Sequence, residues 1–251
     1  MTPHPLSARC VLLDIEGTVS DIRFVYDVMF PYAKENMLPF LHQNWGHAST
    51  KQAVVAVAND AMFDDPKNWL GEEWESNPES SIAILSIHLQ KLMDSDSKAT
   101  GLKQLQGLVW QTGFETGKIK AELFDDVLPA LQRWQRAKLD IRIYSSGSVL
   151  AQKMFFSHTT LGNLASYFSA HYDTLIGPKK ECDSYKRIAA DSQIDSNEIV
   201  FITDVYAELI AAQQAGMQTV ASIRQNNVPL PAEFTGLAVN SFDALDITPL
   251  R

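Results

Sequence analysis

Four consecutive apolar residues, Cys10–Leu13, run without alternation into Asp14-Ile15-Glu16-Gly17-Thr18. An unbroken apolar stretch of this length suits a strand buried on both faces of a parallel sheet. It stops at a carboxylate, and in open α/β sheets the ends of strands are where ligands bind. Two acids at i and i+2, held by a glycine turn, can supply one nucleophile or metal ligand and one proton shuttle. The plainer reading is an Asp that only accepts turn hydrogen bonds beside a Gly. The rest of the chain decides between the two.

After Ser20 the spacing turns helical. Residues 24–43 carry Phe24, Val28, Tyr32, Leu38 and Leu41, with Pro31 and Pro39 expected to kink or split the helix. Residues 51–63, 80–93 and 102–114 repeat the amphipathic pattern, and the acidic stretch 64–79 between them reads as a loop. From residue 125 the texture changes. Helices are expected over 125–138, 149–158, 184–191 and 205–215, and strands over Asp140–Tyr144, 171–176, Ile199–Thr203, 218–223 and 237–240. Strand, helical block, then repeated helix–strand units describe an α/β fold: a parallel Rossmann-like sheet with a helical cap inserted after its first strand. The expected boundaries are 1–24 and 125–251 for the α/β core and 25–124 for the cap. A block inserted just past Asp14 is where a lid belongs.

Composition narrows the partners. Lys and Arg total 21 against 30 for Asp and Glu, a formal net charge of −9. Such a surface repels nucleic acid and anionic membranes, so neither is an expected partner. No apolar run reaches the ~20 residues of a membrane helix, and residues 1–8 lack the apolar core of a signal peptide. With two cysteines, Cys10 and Cys182, and one of them in the core strand, a disulfide framework is not expected and a reducing, cytoplasmic location is.

Three strands end in complementary polar residues: Asp14 with Glu16, Ser145 with Ser146, and Asp204 with Glu208 four residues on. A fourth loop brings Lys179. If the strands are parallel neighbours, these side chains meet at one edge of the sheet. Asp14 and Asp204 together concentrate negative charge that a divalent cation would relieve, and hard oxygen ligands favour Mg²⁺. Serine hydroxyls, helix-start amides and Lys179 suit phosphate oxygens. Carboxylate, metal, hydroxyl and lysine together point to phosphoryl transfer.

These residues resemble the four motifs of the haloacid dehalogenase superfamily: Asp-Ile-Glu-Gly-Thr from Asp14, a strand-terminal Ser145, Lys179 and Ile-Thr-Asp ending at Asp204. Glu16, where a second Asp is usual, narrows the resemblance to the enolase-phosphatases of methionine salvage. So do Phe-Val-Tyr-Asp-Val-Met-Phe-Pro-Tyr-Ala from Phe24, Tyr-Ser-Ser-Gly-Ser from Tyr144, Ile-Gly-Pro-Lys ending at Lys179 and Thr-Asp-Val from Thr203. The likeness runs from about residue 9 to about 224. It implies a Mg²⁺-dependent phosphoric monoester hydrolase with enolase activity, an acireductone synthase. Asp14 would be the nucleophile that forms an aspartyl-phosphate, and Glu16 the general acid–base. Ser145, Ser146 and Lys179 would bind substrate, and one Mg²⁺ per chain would be held by Asp14, Asp204 and the backbone of Glu16. The implied substrate is a small phosphorylated diketone, 2,3-diketo-5-methylthiopentyl 1-phosphate, and a monomer is expected. The rival is a Mg²⁺-dependent phosphatase of another small phosphoester, such as a sugar phosphate.

Other residues carry weaker signals. Glu208 reads either as a partner behind the metal ligands or as a solvated helix acid. Trp45, Trp69, Trp74 and Trp110 could face a methylthio tail, but core packing of the helical block is favoured. His88, His158 and Cys182 have no visible partner that would make them catalytic.

Overall fold

The computed structural model describes residues 4–95 and 97–250; the expected core boundaries at 1 and 251 lie outside them. The chain enters through β1 (His4–Ala8) and β2 (Cys10–Leu13) and then winds through α1 (Phe30–Asn44), α2 (Ala48–Asp60), α3 (Lys67–Leu70), α4 (Pro78–Asp94) and α5 (Thr100–Glu115). It continues through α6 (Val127–Arg136), β3 (Asp140–Tyr144), α7 (Val149–Ser157), β4 (Ala170–Tyr172), α8 (Cys182–Ser192), β5 (Ile199–Thr203), α9 (Tyr206–Gln214), β6 (Gln218–Ser222), β7 (Leu237–Val239) and β8 (Leu245–Pro249). Two compact units result, one of Met1–Val25 with Lys120–Arg251, the other of Tyr26–Ile119. Among the described residues no helix is long and apolar enough to cross a membrane.

In the first unit β2 sits inside a six-stranded sheet of order β4-β3-β2-β5-β6-β7, with every neighbour parallel. All four residues of β2 and all five of β5 are buried, as a sheet covered on both faces requires. Leu13 pairs with Ile143 on one side and Ile202 on the other, so Asp14, Tyr144 and Thr203 come next at the same level. The chain leaves β2 for β3 on one side and reaches β5 on the other, and that reversal opens a crevice at the carboxyl ends of the strands.

The end strands depart from expectation. β1 pairs with β8 in a separate two-stranded parallel sheet, His4 opposite Leu245 through Ala8 opposite Pro249. Pro5 and Pro249 are tolerated there because edge strands do not need every N–H. The strand expected over 171–176 closes at Tyr172, because Asp173 turns the chain by accepting the Leu175 amide at 2.9 Å.

The helical unit buries its own core of Met37, Phe40, Leu41, Trp45, Val54, Val57, Trp74, Leu85, Leu89 and Leu105. Trp45 and Trp74 belong to that core, and Trp69 and Trp110 pack against it half-buried. Trp110 also donates to the Met29 carbonyl at 2.7 Å. Pro31 sits in the first turn of α1 after a π-helical turn, Phe24–Met29, whereas α1 runs on through Pro39, where a break was also expected. The loop expected over 64–79 contains the short α3 and the first residues of α4. α5 crosses close to α2 at Gly101, where any Cβ would strike the Val57 backbone, and its first turn is capped by Asp60, which accepts the Gly101 amide at 2.7 Å.

Candidate active site

Asp14 is 2% exposed, and its two oxygens have different partners. Oδ1 accepts the Ile15 amide at 2.8 Å and the Lys179 ammonium at 2.6 Å. Oδ2 accepts the Thr203 hydroxyl at 2.9 Å. The carboxylate is therefore aimed by its own turn, by the next strand and by a loop far along the chain.

The turn that follows brings Glu16 back into the site. Amides of Thr18, Val19 and Ser20 all donate to the Ile15 carbonyl, and Gly17 donates to Ser20 at 2.8 Å. Gly17 has φ +70°, and a Cβ there would strike the Asp204 carboxylate, so only glycine fits this crossing of the β2 and β5 turns. Glu16 is thereby placed to accept the Ser145 hydroxyl at 3.1 Å. Burial pushes its carboxyl above the ordinary glutamate range, and the Asp14 charge adds to this against the pull of Lys179.

The loop after β3 is tied down by Gln152, whose amide donates to Gly147 at 2.7 Å and Tyr172 at 2.8 Å. Ser145 is fully buried, and its oxygen also accepts the Gly147 amide at 3.3 Å. Ser146, one residue on, is exposed at the edge of this loop. Lys179 reaches the site over a tyrosine floor. Tyr144 donates to the Gly177 carbonyl at 2.8 Å, Tyr185 donates to the Lys179 carbonyl at 2.6 Å, and the ammonium lies 5.7 Å from the Tyr144 ring centre.

Of the two readings its sequence position allows, Glu208 is not the solvated helix acid; it stands behind Asp14, joined to it through Lys179 and Thr203. It is 6% exposed and pairs with Lys179 at 2.9 Å, while the Thr203 hydroxyl stands 3.0 Å from its Oε2. Burial opposes the charge on Lys179, yet Asp14 and Glu208 outweigh it and hold the ammonium above its ordinary value. Burial, then the charge of Asp14, raises the Glu208 carboxyl to about 7. The same two causes raise Asp204 to about 7.

Four carboxyl groups thus lie at one crevice, two of them, Asp14 and Glu208, paired with the Lys179 ammonium. Among the described residues no three His, Cys, Asp or Glu side chains gather in a metal-binding group. Two carboxylates with a backbone carbonyl and water would make no such cluster, and they are the all-oxygen set a Mg²⁺ ion takes. The donor chemistry at Asp14 and Asp204 fits that ion.

The structure pairs Asp14 with Lys179 and Glu16 with Ser145, and sets Asp204 against Gly17. The sequence reading missed Thr203 as a bridging hydroxyl, Gln152 and the tyrosines. Thr203 stands directly before Asp204 and could have been found there; Gln152 gives no sequence signal. His88, His158 and Cys182 lie outside this network.

Comparison with known proteins agrees with this geometry. Residues 8–216 match the model of the haloacid dehalogenase-like hydrolases. The enolase-phosphatase E1 of Drosophila mojavensis is 43% identical over 92% of this chain and 91% of that protein. A probable bifunctional methylthioribulose-1-phosphate dehydratase/enolase-phosphatase E1 of Arabidopsis thaliana is 40% identical over 94% of this chain and 48% of that longer protein. The crystal structure of the UTR4 protein of Saccharomyces cerevisiae superposes with a TM-score of 0.76 at 30% identity, covering 95% of this chain and 100% of that one. The chain is a haloacid dehalogenase-like hydrolase and belongs to the enolase-phosphatase E1 family of phosphatases.

Proposed function

We propose that this enzyme converts 2,3-diketo-5-methylthiopentyl 1-phosphate, through its enol phosphate, to the acireductone 1,2-dihydroxy-3-keto-5-methylthiopentene and phosphate. The observation that carries the chemistry is the division of labour on one turn: Asp14 is ion-paired with Lys179 at 2.6 Å, and Glu16 accepts the Ser145 hydroxyl with its carboxyl raised. Two acids held by different partners on one turn suit a nucleophile and an acid–base. The Arabidopsis relative supports the substrate. Loss of water from a methylthioribulose 1-phosphate leaves a 2,3-diketone that still bears the 1-phosphate, and its printed name joins that dehydratase to an enolase-phosphatase.

Ser145, Ser146 and Lys179 take the phosphate oxygens, and the buried Ser145 fixes their register. A Glu16 carboxylate accepts the proton that leaves carbon when the diketone enolises. Glu16 returns that proton to the carbon-2 oxygen, which completes the enol, and takes up a second proton from water. An Asp14 oxygen then bonds to phosphorus as the phosphorus–oxygen bond to carbon 1 breaks, and Glu16 gives this second proton to the departing oxygen. As a carboxylate again, Glu16 takes a proton from the water that attacks phosphorus, which frees phosphate and restores Asp14. Asp14, Asp204 and the Glu16 carbonyl would hold one Mg²⁺, which when bound offsets the repulsion between carboxylate and phosphate. The helical unit, residues 25–124 in the sequence reading, would serve as the cap. The enzyme would work as a monomer in the cytoplasm, where the free thiols of Cys10 and Cys182 persist.

The test is turnover of the diketo phosphate with Mg²⁺, following enol by absorbance and phosphate separately, beside sugar phosphates. Asp14→Asn should lower phosphate release by about 10⁴-fold. Glu16→Asp, one methylene shorter, should slow both steps by roughly 10- to 100-fold. Faster turnover of a sugar phosphate would reject the diketone, and an unchanged enol rate in Glu16→Asp would remove Glu16 from enolisation.

A further inference from the structure

The loop after β6 has no role in the chemistry above, yet it grips the turn that performs it. The Asn227 side-chain amide donates to the Gly17 carbonyl at 2.9 Å and to the Ser222 carbonyl at 3.0 Å. Arg224 Nε and Nη2 donate to the Thr18 carbonyl at 3.3 and 3.1 Å. These are the two peptide carbonyls that follow Glu16. The amide edge of this turn is closed on Ile15 and Ser20, so the loop from β6 holds the opposite edge. Glycine at φ +70° does not hold its own torsions, because its backbone has more allowed states than any other residue.

Arg224 is itself immobilised. Its side chain is 7% exposed, and Nη2 pairs with Asp126 at 3.0 Å. Nη1 donates to the Asn240 carbonyl at 3.0 Å, and the guanidinium carbon lies 4.4 and 4.8 Å from the ring centres of Phe124 and Phe242. Asp126 is fixed in turn by the Phe242 amide at 2.5 Å. A planar fork locked on three sides transmits position where a lysine would swing.

We propose that Arg224 and Asn227 are positioning residues: by holding the Thr18 and Gly17 carbonyls they set the peptide planes after Glu16, and with them the aim of its carboxyl at the phosphorus held on Asp14. This rests on the reading of Glu16 as acid–base. They touch neither Lys179 nor Ser145, so their loss should leave phosphate binding intact.

Two variants test this. Asn227→Ala removes one grip; Arg224→Met paired with Asp126→Asn removes the other without stranding a buried charge, since Asn still accepts the Phe242 amide. Three quantities are measured: kcat and KM for phosphate release from the diketo phosphate with Mg²⁺, inhibition by inorganic phosphate, and Mn²⁺ binding to the metal-free protein by calorimetry. The expected result is a kcat lower by about 10-fold for Asn227→Ala and about 30-fold for the double variant, with phosphate inhibition within about twofold of wild type. Mn²⁺ should bind roughly threefold more weakly, through the displaced Glu16 carbonyl. Arg224→Lys should recover only part of the loss. An unchanged kcat beside an inactive Glu16→Gln overturns the positioning role alone, and so does phosphate affinity falling in step with kcat. Glu16→Gln at wild-type kcat overturns the acid–base reading and this proposal with it.

Discussion

Adjacent strands β2 and β5 each end in a pair of acids, Asp14 with Glu16 and Asp204 with Glu208, and the pairs are built in opposite order. After β2 the first acid is the one held by an ammonium, and the second accepts the Ser145 hydroxyl. After β5 the second acid is the one held, because a helical turn carries Glu208 back under Lys179 at 2.9 Å, while Asp204 stands forward against Gly17. Lys179 therefore joins one acid from each pair, and the other two project into the crevice. Glu16 and Asp204 both have carboxyls raised by burial and by Asp14. Groups so raised can exchange a proton for a cation near neutral pH. One lysine thus sorts four chemically similar acids into two kinds.

Removing that lysine should break the comparison most severely. Lys179→Met leaves Asp14 and Glu208 facing each other across the Thr203 hydroxyl, at 2.9 and 3.0 Å. Stranding buried charge in this way costs about 3–5 kcal/mol. Urea unfolding of the metal-free protein at pH 8 should show that loss, and the deficit should shrink at pH 5 as Glu208 takes up a proton. An equal deficit at both values would mean the lysine stabilises by packing alone.

The crossing of the two turns is the next point of attack. Gly17→Ala adds a Cβ at φ +70° in the path of the Asp204 carboxylate. The backbone term is about 1 kcal/mol and the displaced carboxylate should bring the total to roughly 2–3 kcal/mol. Combining it with Asp204→Ala should return about half of the loss, because the colliding group is gone. Strict additivity in that cycle would place the cost in the backbone and not in the contact.

How much of this was legible before the structure depends on whether a residue acts locally. β2 and β5 are buried on both faces, so their apolar runs and terminal acids were readable; β3 alternates and leads into Ser145, and parallel pairing then brought Asp14, Ser145 and Asp204 to one edge of the sheet. β1 was not readable: its Pro5 and Ser7 show no strand pattern, and it pairs with a strand at the far end of the chain. Glu208 was left between two readings because helical spacing alone cannot say that a lysine from a separate loop lies beneath it. Arg224 and Asn227 act on backbone carbonyls, which leave no trace in side-chain spacing.

Glu208 offers the finest test of the sorting. Its folded carboxyl lies near 7, above the 4.5 of an unperturbed glutamate, because burial and then the charge of Asp14 disfavour its ionised form, with Lys179 and Thr203 pulling the other way. A carboxyl raised on folding binds more protons in the folded state between those values, so it stabilises most at low pH, and that stability is lost as pH rises from about 4.5 through about 7. Asp204 and Glu16 shift in the same direction, so the metal-free wild type should weaken across this window. Glu208→Gln removes one of these groups. Its unfolding free energy, measured in a metal chelator at half-unit steps, should change less over the same range, by on the order of 2 kcal/mol. If the two pH profiles run parallel, Glu208 titrates as an ordinary glutamate, and burial with the Asp14 charge does not raise its carboxyl.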